Sequence, residues 1–439
     1  MNSICPSEAK TDATTTWRFD LSKHPCYNAE GKHTHARIHL PVAPKCNIQC
    51  NYCNRKFDCV NESRPGVTSQ VLPPAQAVAY LQAMKEKVPS IEVVGIAGPG
   101  DPFANPYETM ETLRQVRAAY PDIMLCLASN GLHIGPYINE IAALEVSHVT
   151  ITINAVDPAI GALVYSWVRD GGRPLKGEDG ATLMIERQLD AVKRLADHGI
   201  LVKVNSIIIP GVNDRHIPEI ASKVKELGAM IMNCIPLVPV EDTGFAHLEE
   251  PDGIMIARTR LLAGQNLKQM SHCARCRADA VGLIDADQSL DYAATLEHYT
   301  HAEPAMDTTR PHVAVASLEG MLVNLHLGEA EKVLIFGKVE GDDEYEVVDV
   351  RHLPDRGNGD DRWKQMARDL ADCRAILVSA AGPRPKKVLE NFGLPVLEME
   401  GMIEEALEAL YSGNEIPAGM RRRFTGCGDS CHGGGQGCS

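Results

Sequence analysis

The sequence predicts an α/β protein, a partial (β/α)6 barrel followed by a smaller, separate α/β domain. Two observations predict it. From residue 36 to about 270, six strand-like segments alternate with six helix-like ones, the order expected of parallel strands joined by crossover helices. After a stretch at about 290 to 310 that is short of aliphatics, a second run of strand-like and helix-like segments begins. The divisions that follow are a flexible N-terminus over 1–23, a first domain over 24–290, a linker over 291–310, a second domain over 311–415 and a Gly- and Cys-rich tail over 416–439.

Taken in order, the first-domain pairs are ARIHLPVA with a helix near 74–88, IEVVGIAG with 106–120, IMLCLAS with 136–144, HVTITIN with 182–198, ILVKVNSIII with 215–227, and AMIMNCIPLV with 253–268. Three of these strands depart from the all-aliphatic character of buried parallel strands. Thr150, Thr152 and Asn154 alternate with Val149, Ile151 and Ile153; Lys203 and Asn205 alternate with Val202 and Val204; Arg37 and His39 alternate with Ile38 and Leu40. Side chains change face at every residue, so each strand turns aliphatics to the helices and polar groups to the lumen. A lumen packed for stability is filled with branched aliphatics, and a polar one points to a ligand chamber. An edge strand with one wet face is the competing reading, and it accounts for one strand of the three.

At 439 residues the chain has room for two or three domains with ample core. Lys plus Arg number 43 against 58 Asp plus Glu, so the broad basic surface required for non-specific nucleic-acid binding is missing. No apolar run reaches the length of a membrane span, and MNSICPSEAK lacks the apolar core of a signal peptide, which makes a cytoplasmic location and no membrane partner the expectation. In a reducing compartment 14 Cys point to metal or redox chemistry rather than to a disulfide framework.

Cys46, Cys50 and Cys53 in CNIQCNYCN have the spacing C-x3-C-x2-C. An iron-sulfur cube that only carries electrons is closed by four Cys, so a triplet with no obvious fourth partner nearby leaves one iron open to another ligand. A zinc knuckle or three unrelated core Cys is the competing reading. With Tyr52 before the last Cys, the run resembles the signature of the radical S-adenosylmethionine (SAM) enzymes. The resemblance implies a 4Fe-4S cluster that binds the amine and carboxylate of SAM at its open iron and cleaves it to a 5′-deoxyadenosyl radical. In AGPGDP, residues 97–102, Gly98 and Gly100 permit a tight turn, and with Asp101 they resemble the glycine-rich element set against the methionyl amine. Thr152 and Asn154, and Asn205 and Ser206, stand where that family contacts the carboxylate and ribose of SAM, and the backbone from Ile235 to Leu237 flanks the adenine. For each polar residue a satisfied internal hydrogen bond is an equally good account.

Five further Cys set the chemistry apart: Cys26 in HPCYN, Cys59 in DCVNESRP, Cys126 in the third strand, and Cys273 and Cys276 in SHCARCRADAVG. HPCYN, the triplet, the Glu62-x-Arg64-Pro65 run, AGPGDP, TITINA and CARCRADAVG occur in this order, and over residues 24–285 the chain resembles the NifB family. The resemblance implies a lyase-type carbide insertion in nitrogenase cofactor biosynthesis. Two further 4Fe-4S cubes, the substrate, fuse into an eight-iron cluster around a carbide taken from a SAM methyl group, and a sulfur is added. It also implies partners: an iron-sulfur cluster donor, the scaffold and carrier proteins of nitrogenase assembly, and a low-potential electron donor. Such a substrate needs soft thiolates. If each cube takes three protein ligands, the five Cys leave one place, for which His39 on the lumen face is the candidate. The loose assignment is His39, Cys59 and Cys126 to one cube and Cys26, Cys273 and Cys276 to the other. Seen alone, Cys126 reads as a core Cys, His39 as an interior hydrogen-bonded His, and the Cys273/Cys276 pair as a zinc site. Glu62 and Arg64 are implied to handle protons or to orient the methylated intermediate; a surface ion pair is the alternative. Cys5, Cys234 and Cys373 have no motif and read as structural.

The second domain, through VNLHLGEAEKVLIFG, resembles the NifX family of cofactor carriers, which implies a ribonuclease-H-like α/β fold, a holding site for product, and His326 at a position that touches the cluster. Cys427, Cys431, His432 and Cys438 in the tail read equally as an iron or zinc arm and as an inert terminus. Two rival functions stay open at this point: a radical SAM enzyme acting on an organic or peptide substrate with one auxiliary cluster, and a non-enzymatic iron-sulfur carrier.

Overall fold

The computed structural model describes residues 23–25, 31–54, 70–270, 278–302, 306–339, 344–357, 359–414, 416–417 and 419–420. Seven strands form the main sheet: β1 Ala36–His39, β2 Ile91–Ile96, β3 Met124–Ser129, β4 His148–Thr152, β5 Leu201–Ile208, β6 Ile231–Pro236 and β7 Val281–Gly282. Their spatial order is β7-β1-β2-β3-β4-β5-β6, with β1 to β6 parallel and β7 antiparallel to β1. Chain order and sheet order coincide because each crossover carries a helix, and right-handed crossovers wind the chain one way around. The helices Pro74–Lys87, Pro106–Ala119, Ile138–Ala143, Gly177–Asp197, Ile217–Glu226 and Gly253–Gly264 fall on the six predicted segments.

Strand parity sorts the side chains as the sequence foretold. Val94, Leu125, Leu127, Val149, Val202 and Val204 join the fully buried core beneath the helices, each such burial contributing about 1.5–3 kcal/mol. The longest helix, Gly177–Asp197, lays down Ala181, Met184, Ile185, Ala191, Val192 and Leu195 as its buried stripe, with Glu178 and Asp179 in its first turn where the helix dipole favours negative charge. Arg37 departs from the ligand-chamber reading. At 3% exposure it donates to the carbonyls of Gly282 (2.6 Å) and Leu283 (2.9 Å) and pairs with Asp287 at 2.6 Å, which fastens β1 to β7 and closes that edge of the sheet.

A stretch read as linker is in part regular structure. Ala293–His301 is a helix; its Leu296 is buried in the barrel core, and Tyr299 lies edge-on to Tyr80 of the first crossover helix. The two aromatic-aliphatic anchors offset the scarcity of aliphatics around them. Beyond it, β8 His312–Val315, β9 Lys332–Lys338, β10 Tyr345–His352, β11 Cys373–Val378 and β12 Val396–Glu398 make a five-stranded sheet in the order β10-β9-β8-β11-β12. Apolar residues cover both of its faces: Ala314, Ile376 and Val378 meet Trp363, Met366 and Leu389 on one side, and Val313, Val315 and Leu377 meet Ile403, Leu407 and Leu410 on the other. This unit docks on the barrel helices through Lys364 to Glu108 (2.6 Å) and Arg368 to Glu140 (3.1 Å).

Replacing Asp287 with Ala strands the buried Arg37 guanidinium. We expect a loss of about 3 kcal/mol in urea unfolding at neutral pH. Burial acts to raise the Asp287 pKa, but hydrogen bonds from Ser289 and the Arg37 charge outweigh it and hold the carboxyl below its ordinary value. Its contribution is therefore present above the unfolded carboxylate pKa and fades as pH falls through the lower folded value, so the wild-type and variant unfolding curves should converge in acid.

Candidate cluster and SAM site

The Cys46–Cys53 loop lies across the C-terminal ends of the strands and is pinned from several sides. Gly100 N donates to Ala43 O (2.6 Å) and Asp101 N to Lys45 O (2.8 Å), while Asn105 Nδ2 donates to Lys45 O (2.8 Å) and receives Lys45 N at its Oδ1 (3.1 Å). A Cβ on Gly100 would stand 2.1 Å from Lys45 O. The glycine is thus required by close approach of the Cys loop to the AGPGDP turn. Gly98, at φ +152°, takes a backbone conformation that other residues rarely adopt. Asp101 turns its carboxylate into the protein, accepting Phe103 N (2.9 Å), Asn130 N (2.6 Å) and Ser129 Oγ (3.0 Å). Burial raises its pKa against those bonds. Its visible work is to tie the turn to the end of β3.

On its other side the loop is a strand. Ile48–Cys50 pairs antiparallel with Tyr165–Asp170, Cys50 standing opposite Tyr165, and Arg173–Leu175 extends this small sheet. Asn51 N donates to Val164 O (2.8 Å) and Phe245 N to Asn51 O (2.8 Å). Tyr52 Oη accepts Asn154 Nδ2 at 2.9 Å, and Asn154 Oδ1 accepts Ile207 N at 2.8 Å. Asn130 Nδ2 reaches Asn47 Oδ1 at 2.6 Å and Cys46 Sγ at 3.9 Å. Cys50, Tyr52, Ile207 and Ile235 share an apolar cluster, with Cys46 and Cys53 packed against it. Three soft donors from one fixed loop suit a cube with one iron left open.

Below the loop, register stacks the lumen side chains in rungs. Thr152 is level with Asn205, and Asn205 with Asn233. Asn233, 1% exposed, donates from Nδ2 to Asn205 Oδ1 at 3.4 Å, and its Oδ1 is buried with no hydrogen-bond partner. An orphaned buried carbonyl costs about 1–3 kcal/mol, and a donor on a bound molecule relieves it, so this rung fits the amine and hydroxyls of SAM. Ser206 does not belong to it. Adjacent strand residues take opposite faces; Asn205 holds the lumen side, and Ser206 points to the helix side and donates its Oγ to Ile153 O. Asn154 ties the loop through Tyr52, making the internal hydrogen bond that the sequence left open as an account of it.

Roughly 13 Å farther down, four residues at about 3.3 Å each, one rung crosses the sheet. Its registered neighbours are His39 on β1, Gly95 on β2, Cys126 on β3 and His148 on β4. A Cβ on Gly95 would lie 2.7 Å from His39 Cδ2 and 2.8 Å from Cys126 Sγ, so His39 and Cys126 converge over a glycine gap. Lys203, level with Thr150, is buried in the same lumen. Cys26, Cys59, Glu62, Arg64, Cys273 and Cys276 lie outside the described residues, as do Cys5, Cys427, Cys431, His432 and Cys438. In the second unit His326 Nδ1 accepts Gly328 N at 2.9 Å, which leaves the proton on Nε2 and makes that nitrogen a donor in this ring orientation. Cys234 and Cys373 are buried, and burial lifts both thiols to about 12, as suits structural residues.

Sequence reasoning passed over Asn233 and His148 as ligand-facing residues. The parity that exposed Thr150 and Asn205 to the lumen also selects His148 and Asn233, so the signal was there. Asn130 and the Tyr165–Asp170 strand gave none, because their partners are more than eighty residues away in the chain.

The profile of the Radical SAM superfamily matches residues 40–224, and that of "Dinitrogenase iron-molybdenum cofactor" matches residues 310–413. With the triplet loop over a curled parallel sheet, the first defines the class: this is a radical SAM enzyme, with a 4Fe-4S cluster and SAM as its cofactors. The "FeMo cofactor biosynthesis protein NifB" of Chlorobaculum tepidum is 50% identical over 96% of this chain and 99% of its own length. The proteins of the same name from Klebsiella pneumoniae and Azotobacter vinelandii are 38% and 36% identical, over 84% and 90% of this chain and 86% and 88% of theirs. The chain belongs to the NifB family, the radical SAM proteins of FeMo cofactor biosynthesis, and its second unit is the NifX-like domain.

Replacing Asn154 with Leu removes both the Tyr52 tie and the acceptor of Ile207 N. We expect roughly 1–3 kcal/mol of destabilisation together with weaker retention of iron on the triplet, read after gel filtration as the iron per chain that is lost when Cys46→Ala, Cys50→Ala and Cys53→Ala are added. Unchanged iron retention would show that the Tyr52 bond does not position the loop.

Proposed function

We propose that this chain fuses two 4Fe-4S cubes, taken as substrate, into the eight-iron, carbide-centred precursor of FeMo cofactor. The observation that carries the reading is the deep rung on which His39 and Cys126 flank Gly95 beneath the Cys46–Cys53 loop. One imidazole and one thiolate meeting inside a barrel are soft donors for an iron-sulfur substrate rather than for an organic one. We assign His39, Cys59 and Cys126 to one cube and Cys26, Cys273 and Cys276 to the other.

When bound, SAM and its cluster supply a methyl group and a 5′-deoxyadenosyl radical. The chain's own residues supply the rest. Cys46, Cys50 and Cys53 hold the cluster. Thr152, Asn205 and Asn233 hold and orient SAM above the deep rung, with the Gly98–Gly100 turn and the Ile235 backbone at its flanks. Tyr52, Ile207 and Ile235 form the apolar layer that keeps water from the radical. The buried Lys203 ammonium supports an anionic occupant, which a thiolate-bound cube is. Glu62 and Arg64 manage protons lost by the methyl carbon. His39 is the weakest of the iron donors and the easiest to displace when the cubes join.

The NifX-like domain receives the product before a carrier protein does, and its docking on the barrel through Lys364 and Arg368 keeps it near the source. No helix among the described residues is long and apolar enough to cross a membrane. We infer a cytoplasmic enzyme served by a cluster donor and a low-potential electron donor, the setting in which its many thiols stay reduced.

Anaerobic reconstitution with iron and sulfide should load about twelve iron per chain, three cubes of four. Cys50→Ala should abolish reductive SAM cleavage to 5′-deoxyadenosine while the other cubes remain; cleavage that survives refutes the open-iron assignment. Gly95→Ala sets a methyl against His39 and Cys126, and should deplete substrate iron while SAM cleavage continues at the wild-type rate. Equal loss of both would detach the deep rung from the substrate.

A further inference from the structure

Beside the proposed cube ligands lies a different set of donors. Among the described residues, His24, Cys126 and His148 each bring one ligand atom to within 4.8 Å of the other two. His24 and His148 are 1% and 2% exposed, and their rings meet edge to face with centroids 4.0 Å apart. The three arrive from separate parts of the chain. His24 belongs to the segment before the barrel, Cys126 to the middle of β3, and His148 to the first position of β4, in register with Cys126. Ser147 Oγ lies 3.0 Å from His148 Nδ1 and fixes that side of the ring. This is the outer bond that ligating imidazoles commonly make.

We propose that His24, Cys126 and His148 form a binding site for a single divalent transition-metal ion, ferrous iron in the cell, with two imidazole donors and one thiolate. The site is distinct from the His39, Cys59, Cys126 set and shares only Cys126 with it. The spacing fits the chemistry. Metal bonds of about 2.0 Å to imidazole and 2.3 Å to thiolate place tetrahedral ligand atoms roughly 3.3–3.8 Å apart, inside the separation found. Three protein donors leave a position open, as in metal sites that bind an exogenous ligand. The donor set selects thiophilic ions such as iron or zinc and excludes magnesium and calcium, which take oxygen.

Both rings are buried, and Lys203 lies near them in the chamber. Lys203 also opposes a naked dication. The Cys126 thiolate offsets one charge, and a small anion or hydroxide from solvent in the open position offsets the second. Because Cys126 cannot serve the triad and a cube at once, the triad describes the chamber before a cube enters, and loading the cube displaces the lone ion.

The test needs no cube. The full chain, purified anaerobically and stripped of iron and sulfide, carries Cys46→Ala, Cys50→Ala and Cys53→Ala and is titrated with cobalt(II) alone. Bound cobalt and the thiolate-to-cobalt charge-transfer absorption are followed together. The site predicts that His148→Leu and His24→Leu each remove about one equivalent of tightly bound cobalt, that Cys126→Ser removes the same equivalent with its share of the charge-transfer band, and that His39→Leu leaves it in place. His148→Cys should keep the equivalent and strengthen the band, a gain that a collapsed fold cannot produce. Cobalt stoichiometry unchanged by His148→Leu, or the same equivalent lost in His39→Leu, would overturn the triad. Without sulfide no cube forms, so failure here leaves the cube-fusion reading standing, and failure of that reading leaves the triad to be judged on its own.

Discussion

Parallel pairing in strict register is the constraint on which the molecule depends. Because side chains alternate faces and neighbouring strands hold fixed partners, residues distant in the chain become neighbours on one level of the lumen. His39, Gly95, Cys126 and His148 are such a level, and Thr152, Asn205 and Asn233 another. A one-residue slip in any strand would turn its polar set toward the helices and its aliphatics into the chamber. The aliphatic faces prevent that slip, so the core that stabilises the barrel also fixes the heights at which chemistry is placed. Glycine at residue 95 completes the device, since any side chain there would part the imidazole from the thiolate.

The Cys loop solves a second problem, how to keep three thiolates fixed when only Ile48–Cys50 of the loop is regular structure. It is held as a strip between two anchors. The AGPGDP turn takes one edge by backbone bonds that need glycine at residue 100, and the Tyr165–Asp170 strand takes the other. Asp101, Asn130, Asn154 and Gln188 then bind the surrounding backbone, with Gln188 donating to Asn130 O (2.9 Å) and Thr152 O (2.7 Å). Asp101 and Asn154, which the family resemblance sets near SAM, make these internal bonds around the loop.

Electrostatics divides the chamber by depth. The upper lumen carries the hydroxyl and amides of Thr152, Asn205 and Asn233. The lower lumen sets nitrogen and sulfur donors, His24, His39, His148 and Cys126, beside the buried Lys203. Arg37, though on the lumen face, is neutralised by Asp287 and belongs to the seam of the sheet. The second domain adds a separate sheet with apolar residues packed on both faces, docked by two charge pairs and by Tyr107 of the barrel, which packs against its core.

The sequence by itself determined the six β-α repeats, the parity that makes the lumen polar, the C-x3-C-x2-C triplet and the motif order that marks the family, because each is a local pattern or a short spacing. Period-two alternation is written into three of the six strands, and helix positions follow from the order of the segments between them. Only the tertiary structure decided that Ser206 faces the helices, that Asn154 and Asp101 hold the loop, that Arg37 closes an edge, that a helix occupies part of the supposed linker, and that His24 and His148 converge on Cys126. Those outcomes rest on register between strands and on bonds spanning tens to hundreds of residues, which no local window of sequence contains.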